Sequence, residues 1–110
     1  NIMFNLWKKW RQQRHVELRC AVLKAIVANG ANAYGVPIAD SVNQALGRTK
    51  WWNEISIARL YCCLDELEGD GLIFSYTMPG GAERSYRAKR HYYLTRFGKL
   101  VLEKESGAVV

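Results

Sequence analysis

The 110-residue sequence lacks the features that mark secreted, metal-binding or membrane-spanning proteins. Its three cysteines, Cys20, Cys62 and Cys63, form no C-x-x-C pair and have no His-rich neighbourhood, so they predict neither a disulfide framework nor a metal site. No apolar run reaches the length of a membrane span, and no secretory signal is evident. We therefore expect a cytoplasmic protein with no membrane partner.

A catalytic constellation is also missing from the sequence. His15 and His91 have no Cys or Asp at a spacing typical of a catalytic pair. Cys62 and Cys63 precede four carboxylates, which would raise rather than lower the pKa of a thiol. Gly80-Gly81 has no following lysine-serine pair or helix start, so it predicts a turn and not a phosphate-binding loop. We predict that the chain is not an enzyme and holds no cofactor.

Basic residues are what the chain has in excess. It carries 16 Lys and Arg against 10 Asp and Glu, a formal net charge of +6 at pH 7. Hydrophobic residues make up 49% of it, which is sufficient for the core of one domain. A positive excess favours a polyanionic partner such as nucleic acid, although a generic basic protein would show the same balance.

Hydrophobic spacing, capping residues and turn residues predict an alternation of short elements. The predicted helices cover 1–13, 15–28, 34–46, 56–68 and 96–105, and the predicted strands cover 54–55, 72–77 and 90–94. This order is that of a winged helix-turn-helix, a mainly α (α+β) fold with a two-stranded wing and extra N- and C-terminal helices. We divide the chain into an N-terminal amphipathic helix (1–14), the winged-helix domain (15–105) and a frayed tail (106–110).

Each helix has an apolar stripe, and we expect the stripes of all helices but the last to be buried. The stripe residues, helix by helix, are Met3, Leu6, Trp7 and Trp10; Val16, Cys20, Leu23 and Val27, widened by Leu18, Val22 and Ile26; Ile38, Val42, Ala45 and Leu46; Leu60, Leu64 and Leu67; and Phe97, Leu100 and Val101. Trp51 and Trp52 follow in a loop. We expect the four tryptophans to belong to the core or a dimer interface, and the alternative is a pocket for a planar aromatic effector.

The helix 56–68 is asymmetric in charge. Arg59 lies in its first turns, whereas Asp65, Glu66, Glu68 and Asp70 crowd its far end. Because carboxylates repel phosphates, this helix can meet DNA only by its N-terminal half, which also presents the positive end of its dipole. The predicted DNA-contacting residues of this helix are Ser56, Ile57, Ala58, Arg59, Tyr61 and Cys62. Arg59 is the candidate for a bidentate contact to guanine.

A second basic segment follows in the predicted wing, 77–91. Its predicted DNA-contacting residues are Arg84, Arg87, Lys89 and Arg90, whose charges suit phosphates or a narrow minor groove. The alternative is a solvated basic hairpin whose charges prevent its edge strand from pairing with another chain. Arg48 and Lys50, which precede the helix 56–68, could add backbone contacts.

Three segments together resemble the PadR family of bacterial transcription regulators. These segments are Ala33-Tyr34-Gly35; Leu60-Tyr61 with Leu64, Leu67 and Gly71-Leu72-Ile73; and Tyr92-Tyr93-Leu94-Thr95-Arg96-Phe97-Gly98. The resemblance spans about residues 20 to 102. It implies a homodimer that binds an inverted repeat of DNA with one recognition helix per half-site, and we expect a repressor.

The C-terminal helix departs from the PadR pattern, in which a long last helix usually dimerises. Since the predicted helix here ends near residue 105, we expect Met3, Leu6, Trp7 and Trp10 to supply the dimer contact. Two other functions stay open. One is a protein-interaction module that docks through the Trp-rich N-terminal helix, and the other is a replication or plasmid-maintenance protein that uses the same fold on DNA.

Overall fold

The computed structural model describes residues 2–78 and 89–107, with side chains at 15–77 and 90–104. Within these ranges the chain forms four α-helices, one 3-10 turn and a two-stranded sheet. In chain order they are α1 (Ile2–Asn29), the 3-10 turn (Gly30–Asn32), α2 (Gly35–Ala45), α3 (Ile57–Gly69), β1 (Ile73–Met78), β2 (Lys89–Leu94) and α4 (Arg96–Gly107). The predicted mainly α fold with a small wing is confirmed.

Helix α1 replaces two predicted helices. It runs for 28 residues without interruption, so the predicted break near residue 14 is wrong. The physical reason is that the segment across that point contains no glycine or proline, and its Gln, Arg and His residues are all tolerated in a helix interior. The helix ends where predicted, because Gly30 adopts a φ of +53°. No helix in the described ranges combines the length and hydropathy of a membrane span.

The buried face of α1 is rotated from the predicted stripe. Leu18, Val22 and Ile26 lie in the core with their neighbouring alanines, whereas Val16 and Val27 are exposed. The two candidate stripes overlap on the helix surface, and hydrophobicity alone does not rank them. The short side chains of Ala21 and Ala25 lie on the buried face, where α1 packs against other elements of the fold.

Helix α2 has the bounds that its sequence predicts. It opens with Pro37 in its first turn and ends before Gly47, whose φ is +69°. Ile38 and Val42 are fully buried as expected, but Ala45 is exposed and Asn43 lies inside instead. The predicted buried face is therefore wrong at Ala45, and the polar residue Asn43 is buried instead.

That polar residue also explains why the predicted strand at 54–55 is wrong. Ile55 is buried, but its backbone N–H donates to the side-chain oxygen of Asn43 at 2.8 Å rather than to a neighbouring strand. An Asn side chain thus completes the backbone hydrogen bonding that a third strand would have provided.

The strands of the wing agree with the prediction. Strands β1 and β2 pair antiparallel, with Ile73 opposite Leu94 and Tyr76 opposite His91. The tip of the predicted wing, including the turn after Met78 and the side chains Arg84 and Arg87, lies outside the described residues. The base of the wing is tied to the helices, since the N–H of Tyr92 donates to the carbonyl of Ala33 at 2.9 Å.

Helix α4 is capped by Thr95 as predicted, but it presents a different face to the core. The Thr95 hydroxyl accepts from the N–H of Gly98 at 2.9 Å. Phe97 and Leu100 are 56% and 57% exposed, although they share the predicted apolar side of the helix with Val101. Val101 and Leu102 pack partly against the core. Gly98 faces the start of β1 at close range, and that orientation turns Phe97 and Leu100 outward.

Candidate nucleic-acid interface

The first turn of α3 is built as its sequence predicts. Ser56 has extended backbone angles and its hydroxyl accepts from the N–H of Arg59 at 3.1 Å, which satisfies one of the free donors of the helix start. Leu60, Leu64 and Leu67 are fully buried and fix α3 to the core. The structure places all six predicted contact residues of this helix at the surface, at Ser56, Ile57, Ala58, Arg59, Tyr61 and Cys62.

The exposed residues of α3 fall on different sides of the helix. Ala58 and Cys62, one turn apart, lie opposite the buried stripe. Arg59 lies on the side of α1, where it lines a shallow cleft with His15 and Glu66. From this cleft the Arg59 side chain can extend along the edge of α3, next to the carboxylate of Glu66.

Tyr61 lies on the other side, against the start of α2. Its hydroxyl occupies space so close to Gly35 that a Cβ added there would lie 2.5 Å from the oxygen. The glycine therefore admits the tyrosine ring and lets the two helices of the motif approach. This contact gives a packing role to the Tyr-Gly and Leu-Tyr pairs that carry the family resemblance.

The acidic end of α3 is held by α1. Arg19 pairs with Asp70 at 2.6 Å and with Glu66 at 3.7 Å, and His15 Nε2 lies 3.2 Å from the same Glu66 oxygen. The two remaining carboxylates of this end have different surroundings. Glu68 accepts from the Ser75 hydroxyl at 3.0 Å, and Asp65 is exposed. The acidic end is thus mostly engaged in contacts within the chain.

Sequence reasoning missed the part that His15 and Arg19 take in placing α3. Arg19 and Asp70 are 51 residues apart, so no local pattern joins them. The one signal available was the excess of basic residues on α1, in a chain whose acidic residues cluster near the end of α3.

The wing strands carry one described basic side chain toward the site. Arg90 is exposed on β2, next to the fully buried Tyr92. Burial raises the pKa of the Tyr92 phenol, and the guanidinium of Arg90 opposes that rise. On the other side of the sheet Phe74 and Tyr76 stack on Tyr93 with ring centroids 5.4 Å apart. This aromatic stack gives the base of the wing a rigid outer face.

The loop between α2 and α3 brings further residues to the N-terminal end of α3. Arg48 is half-buried and Lys50 is exposed, with its Nζ 5.2 Å from the centre of the Trp52 ring. Trp51 and Trp52 are 84% and 63% exposed, so they do not join the core of this chain, and their place in a dimer interface stays a prediction. The two indoles meet edge to face, a geometry that does not form the parallel walls of a slot for a planar molecule.

The thiols of α3 differ in their surroundings. Cys63 is buried, and burial raises the pKa of its thiol to about 11, while Cys62 is exposed. Because the thiolate is the reactive form, Cys63 is an inert core residue at neutral pH. The described residues contain no group of three or more His, Cys, Asp or Glu side chains placed to hold a metal ion.

Together the capped helix, the loop before it and the two-stranded wing define a winged helix-turn-helix protein. No family model and no curated protein matches the chain. Solved structures do match. One is a PadR family transcription regulator from Clostridium difficile, with a TM-score of 0.62 and 23% identity over 83% of this chain and 84% of that one.

Two further structures give the same result. A transcriptional regulator from Clostridium thermocellum has a TM-score of 0.60 and 17% identity, over 83% of this chain and 78% of that one. A PadR family transcriptional regulator from Eggerthella lenta has a TM-score of 0.54 and 22% identity, over 94% and 85% of the two chains. The chain therefore has a PadR-like winged-helix fold.

Proposed function

We propose that this protein is a sequence-specific, double-stranded DNA-binding transcriptional regulator that acts as a homodimeric repressor. The observation that carries the proposal is the N-terminal half of α3, which is capped by Ser56, exposed from Ser56 to Arg59 and anchored by a fully buried leucine stripe. A recognition helix needs this combination of a rigid base and free N-terminal side chains. The fold shared with the transcription regulators above supports the same function.

The basic residues of the proposed interface have two roles, which are base reading and backbone binding. Arg59 reads base edges in the major groove, where a bidentate contact to guanine is the commonest specific contact of arginine. Arg90 on β2, with Arg84, Arg87 and Lys89 of the wing, binds phosphates or the minor groove. Arg48 and Lys50 add phosphate contacts ahead of α3. The paired acidic end of α3 lies at the opposite end of the helix from Arg59.

A homodimer is supported by the apolar side chains that the described chain leaves uncovered. Phe97 and Leu100 lie one turn apart on α4 and are more than half exposed. Exposed apolar side chains that share one helix face are typical of protein–protein contacts. The N-terminal residues Met3, Leu6, Trp7 and Trp10 remain our proposed second part of the dimer contact.

Selection of bound duplexes from a random pool tests the proposal, with the stoichiometry of the complex measured alongside. We expect an enriched inverted repeat bound by two copies of the chain. Arg59→Ala should then lose discrimination at one base position by about 1–3 kcal/mol. The matched control is Lys24→Ala, which removes an exposed charge from α1 and should leave sequence preference unchanged. Unchanged affinity and specificity in Arg59→Ala would show that α3 does not read DNA in this orientation.

The wing has its own test. Changing Arg87 and Lys89 together to Ala should weaken binding to all duplexes alike, because pairing with phosphates carries no sequence information. The slope of log Kobs against log salt should become shallower by about 0.9 for each phosphate that is no longer neutralised. A weakening confined to one sequence would assign these residues to base reading instead.

A protein-interaction module is the second candidate function, favoured by the exposed indoles of Trp51 and Trp52 and by Phe97 on α4. A gel shift against random duplex at low salt separates the two functions. No binding at all supports the interaction module, whereas salt-sensitive binding supports the regulator.

A planar aromatic effector is a separate part of the proposal, taken from the tryptophan content. Titration with planar drugs or phenolic acids should quench tryptophan fluorescence if such a site exists. No quenching across the panel removes the effector from the proposal.

A further inference from the structure

The turn that carries Trp51 and Trp52 is closed by its own hydrogen bonds. The N–H groups of Asn53 and Glu54 donate to the carbonyl of Lys50 at 2.9 and 3.1 Å. In return the side-chain oxygen of Asn53 accepts from the N–H of Lys50 at 3.0 Å. The two tryptophans are the corner residues of a closed turn, so their backbone is held in place and their rings project from it.

Both ends of this loop are also anchored to one buried residue. The carbonyl of Asn43 accepts from the N–H of Arg48 at 2.7 Å, and its side-chain oxygen accepts from the N–H of Ile55 at 2.8 Å. Asn43 and Ile55 are both buried. The loop is therefore a rigid projection from α2 and α3, and not a slack connection.

This rigid projection ends in uncovered aromatic surface. Trp51 is 84% exposed and Trp52 is 63% exposed, the highest values among the large hydrophobic side chains of the described residues. An indole offers about 150–250 Å² of contact surface at little entropic loss. Lys50 lies over one face of Trp52, and Trp51 meets Trp52 edge to face, so Trp51 is the ring with more exposed surface for a partner.

The charges around the turn select the chemistry of that partner. Between positions 48 and 59 the basic residues are Arg48, Lys50 and Arg59, and the one acidic residue is Glu54. The turn also precedes Ser56, the cap of α3, where the helix dipole adds positive potential. An aromatic surface flanked by basic groups fits a nucleic acid, whose sugars and bases pack on aromatic rings while phosphates pair with the cations.

We propose that the Trp51–Trp52 turn is an additional DNA contact, in which the indole of Trp51 packs against a deoxyribose of the backbone flanking the site of α3 and Lys50 pairs with a neighbouring phosphate. This inference rests on the proposed function. It adds an uncharged contact to an interface that is otherwise basic, and it gives the turn a part in setting the register of α3 on the duplex.

Fluorescence anisotropy with a labelled duplex of about 30 base pairs, roughly three helical turns, tests the proposal. Trp51→Ala should weaken binding about tenfold, within the range measured for loss of aromatic packing on nucleic acids. Trp51→Phe should recover most of that affinity because it restores an aromatic face. Val27→Ala, which trims an exposed apolar side chain on α1, is the matched control and should bind like the unaltered protein.

The salt dependence distinguishes the indole from the cation. Trp51→Ala should keep the slope of log Kobs against log salt between about 50 and 200 mM, because the indole neutralises no phosphate. Lys50→Ala should make that slope shallower by about 0.9. Circular dichroism checks that each variant is folded, which the exposure of both residues leads us to expect.

These measurements separate a failure of the proposed function from a failure of the Trp51 contact alone. If the unaltered protein does not bind duplex at low salt, the proposed function fails and this inference fails with it. If it binds and Trp51→Ala binds equally well, the proposed function stands and the DNA contact of the turn is overturned. Unchanged DNA affinity with a lower molecular mass of Trp51→Ala in solution would overturn it too, since a second copy would then cover the turn.

Discussion

The close approach of α4 to the start of β1 leaves less room at Gly98 than at any other glycine whose surroundings the structure describes. A Cβ placed there would overlap the carbonyl oxygen of Leu72 and would lie 2.9 Å from both the carbonyl carbon of Leu72 and Cδ2 of Leu94. The overlapping atom belongs to the backbone, so no rotamer change relieves it. Gly98→Ala therefore requires α4 to move away from β1.

That movement disrupts the hydrogen bonds around Thr95. Its hydroxyl lies 2.6 Å from the carbonyl of Gly71 and 2.9 Å from the N–H of Gly98, and its own N–H donates to Leu72 at 3.0 Å. Strained overpacking of this kind costs about 1–3 kcal/mol, and each broken hydrogen bond costs about 1 kcal/mol. Alanine gains about 1 kcal/mol in helix propensity over glycine. If one of these hydrogen bonds is broken, the net loss in the free energy of unfolding is about 2 kcal/mol.

Urea unfolding followed by far-UV circular dichroism measures this loss, and the melting temperature should fall by about 8–16 °C. The matched control is Gly69→Ala at the end of α3, where no atom lies within 4 Å of an added Cβ. It should be neutral or stabilising by up to about 1 kcal/mol. If Gly98→Ala were as stable as Gly69→Ala, α4 would not approach β1 as closely as the structure shows.

Three further predictions concern Asn43 and the two thiols of α3. Asn43→Ala should lower the free energy of unfolding by about 1–3 kcal/mol because it leaves the buried N–H of Ile55 without its acceptor. Urea unfolding measures this loss. The control is Gln44→Ala at the exposed neighbouring position, which should change the free energy of unfolding little. The raised pKa of Cys63, about 11 against an ordinary 9.0, means that the unfolded chain releases this proton first, so stability should fall between about pH 9 and 11. Cys63→Ala should fall less steeply over that interval, and an equal pH dependence would contradict the assignment. Iodoacetamide at pH 8 should label the exposed Cys62 well before Cys63 in the folded protein.

The ends of the elements were the most predictable part of the molecule. Gly30 and Gly47 end α1 and α2 with positive φ, Ser56 and Thr95 cap α3 and α4, and the alternating residues after Gly71 form β1. These are local signals, because each depends on the conformational preference or hydrogen bonding of one residue and its immediate neighbours. For the same reason the leucine stripe of α3 and the exposure of its first turn followed from the sequence.

The errors share a different cause. Val16 and Val27 were assigned to a buried stripe from helical spacing and are exposed. Phe97 and Leu100, which share the apolar side of α4, are exposed as well. Their helices have more than one apolar stripe, and the stripe that is buried depends on where small residues permit close approach. Gly98 does this for α4, and no property of α4 alone reveals that the Leu72 carbonyl lies opposite it.

Apart from the strand wrongly predicted at 54–55, the sequence alone determined the order of the helices and strands after α1, the capped start of α3 and the basic character of the wing, because capping, periodicity and charge are properties of short segments. Tertiary structure decided which faces are buried, how Arg19 of α1 engages the acidic end of α3 and why Trp51 stands in solvent. Those outcomes depend on atoms brought together from distant positions in the chain, and their packing is settled only when all the elements compete for the same core.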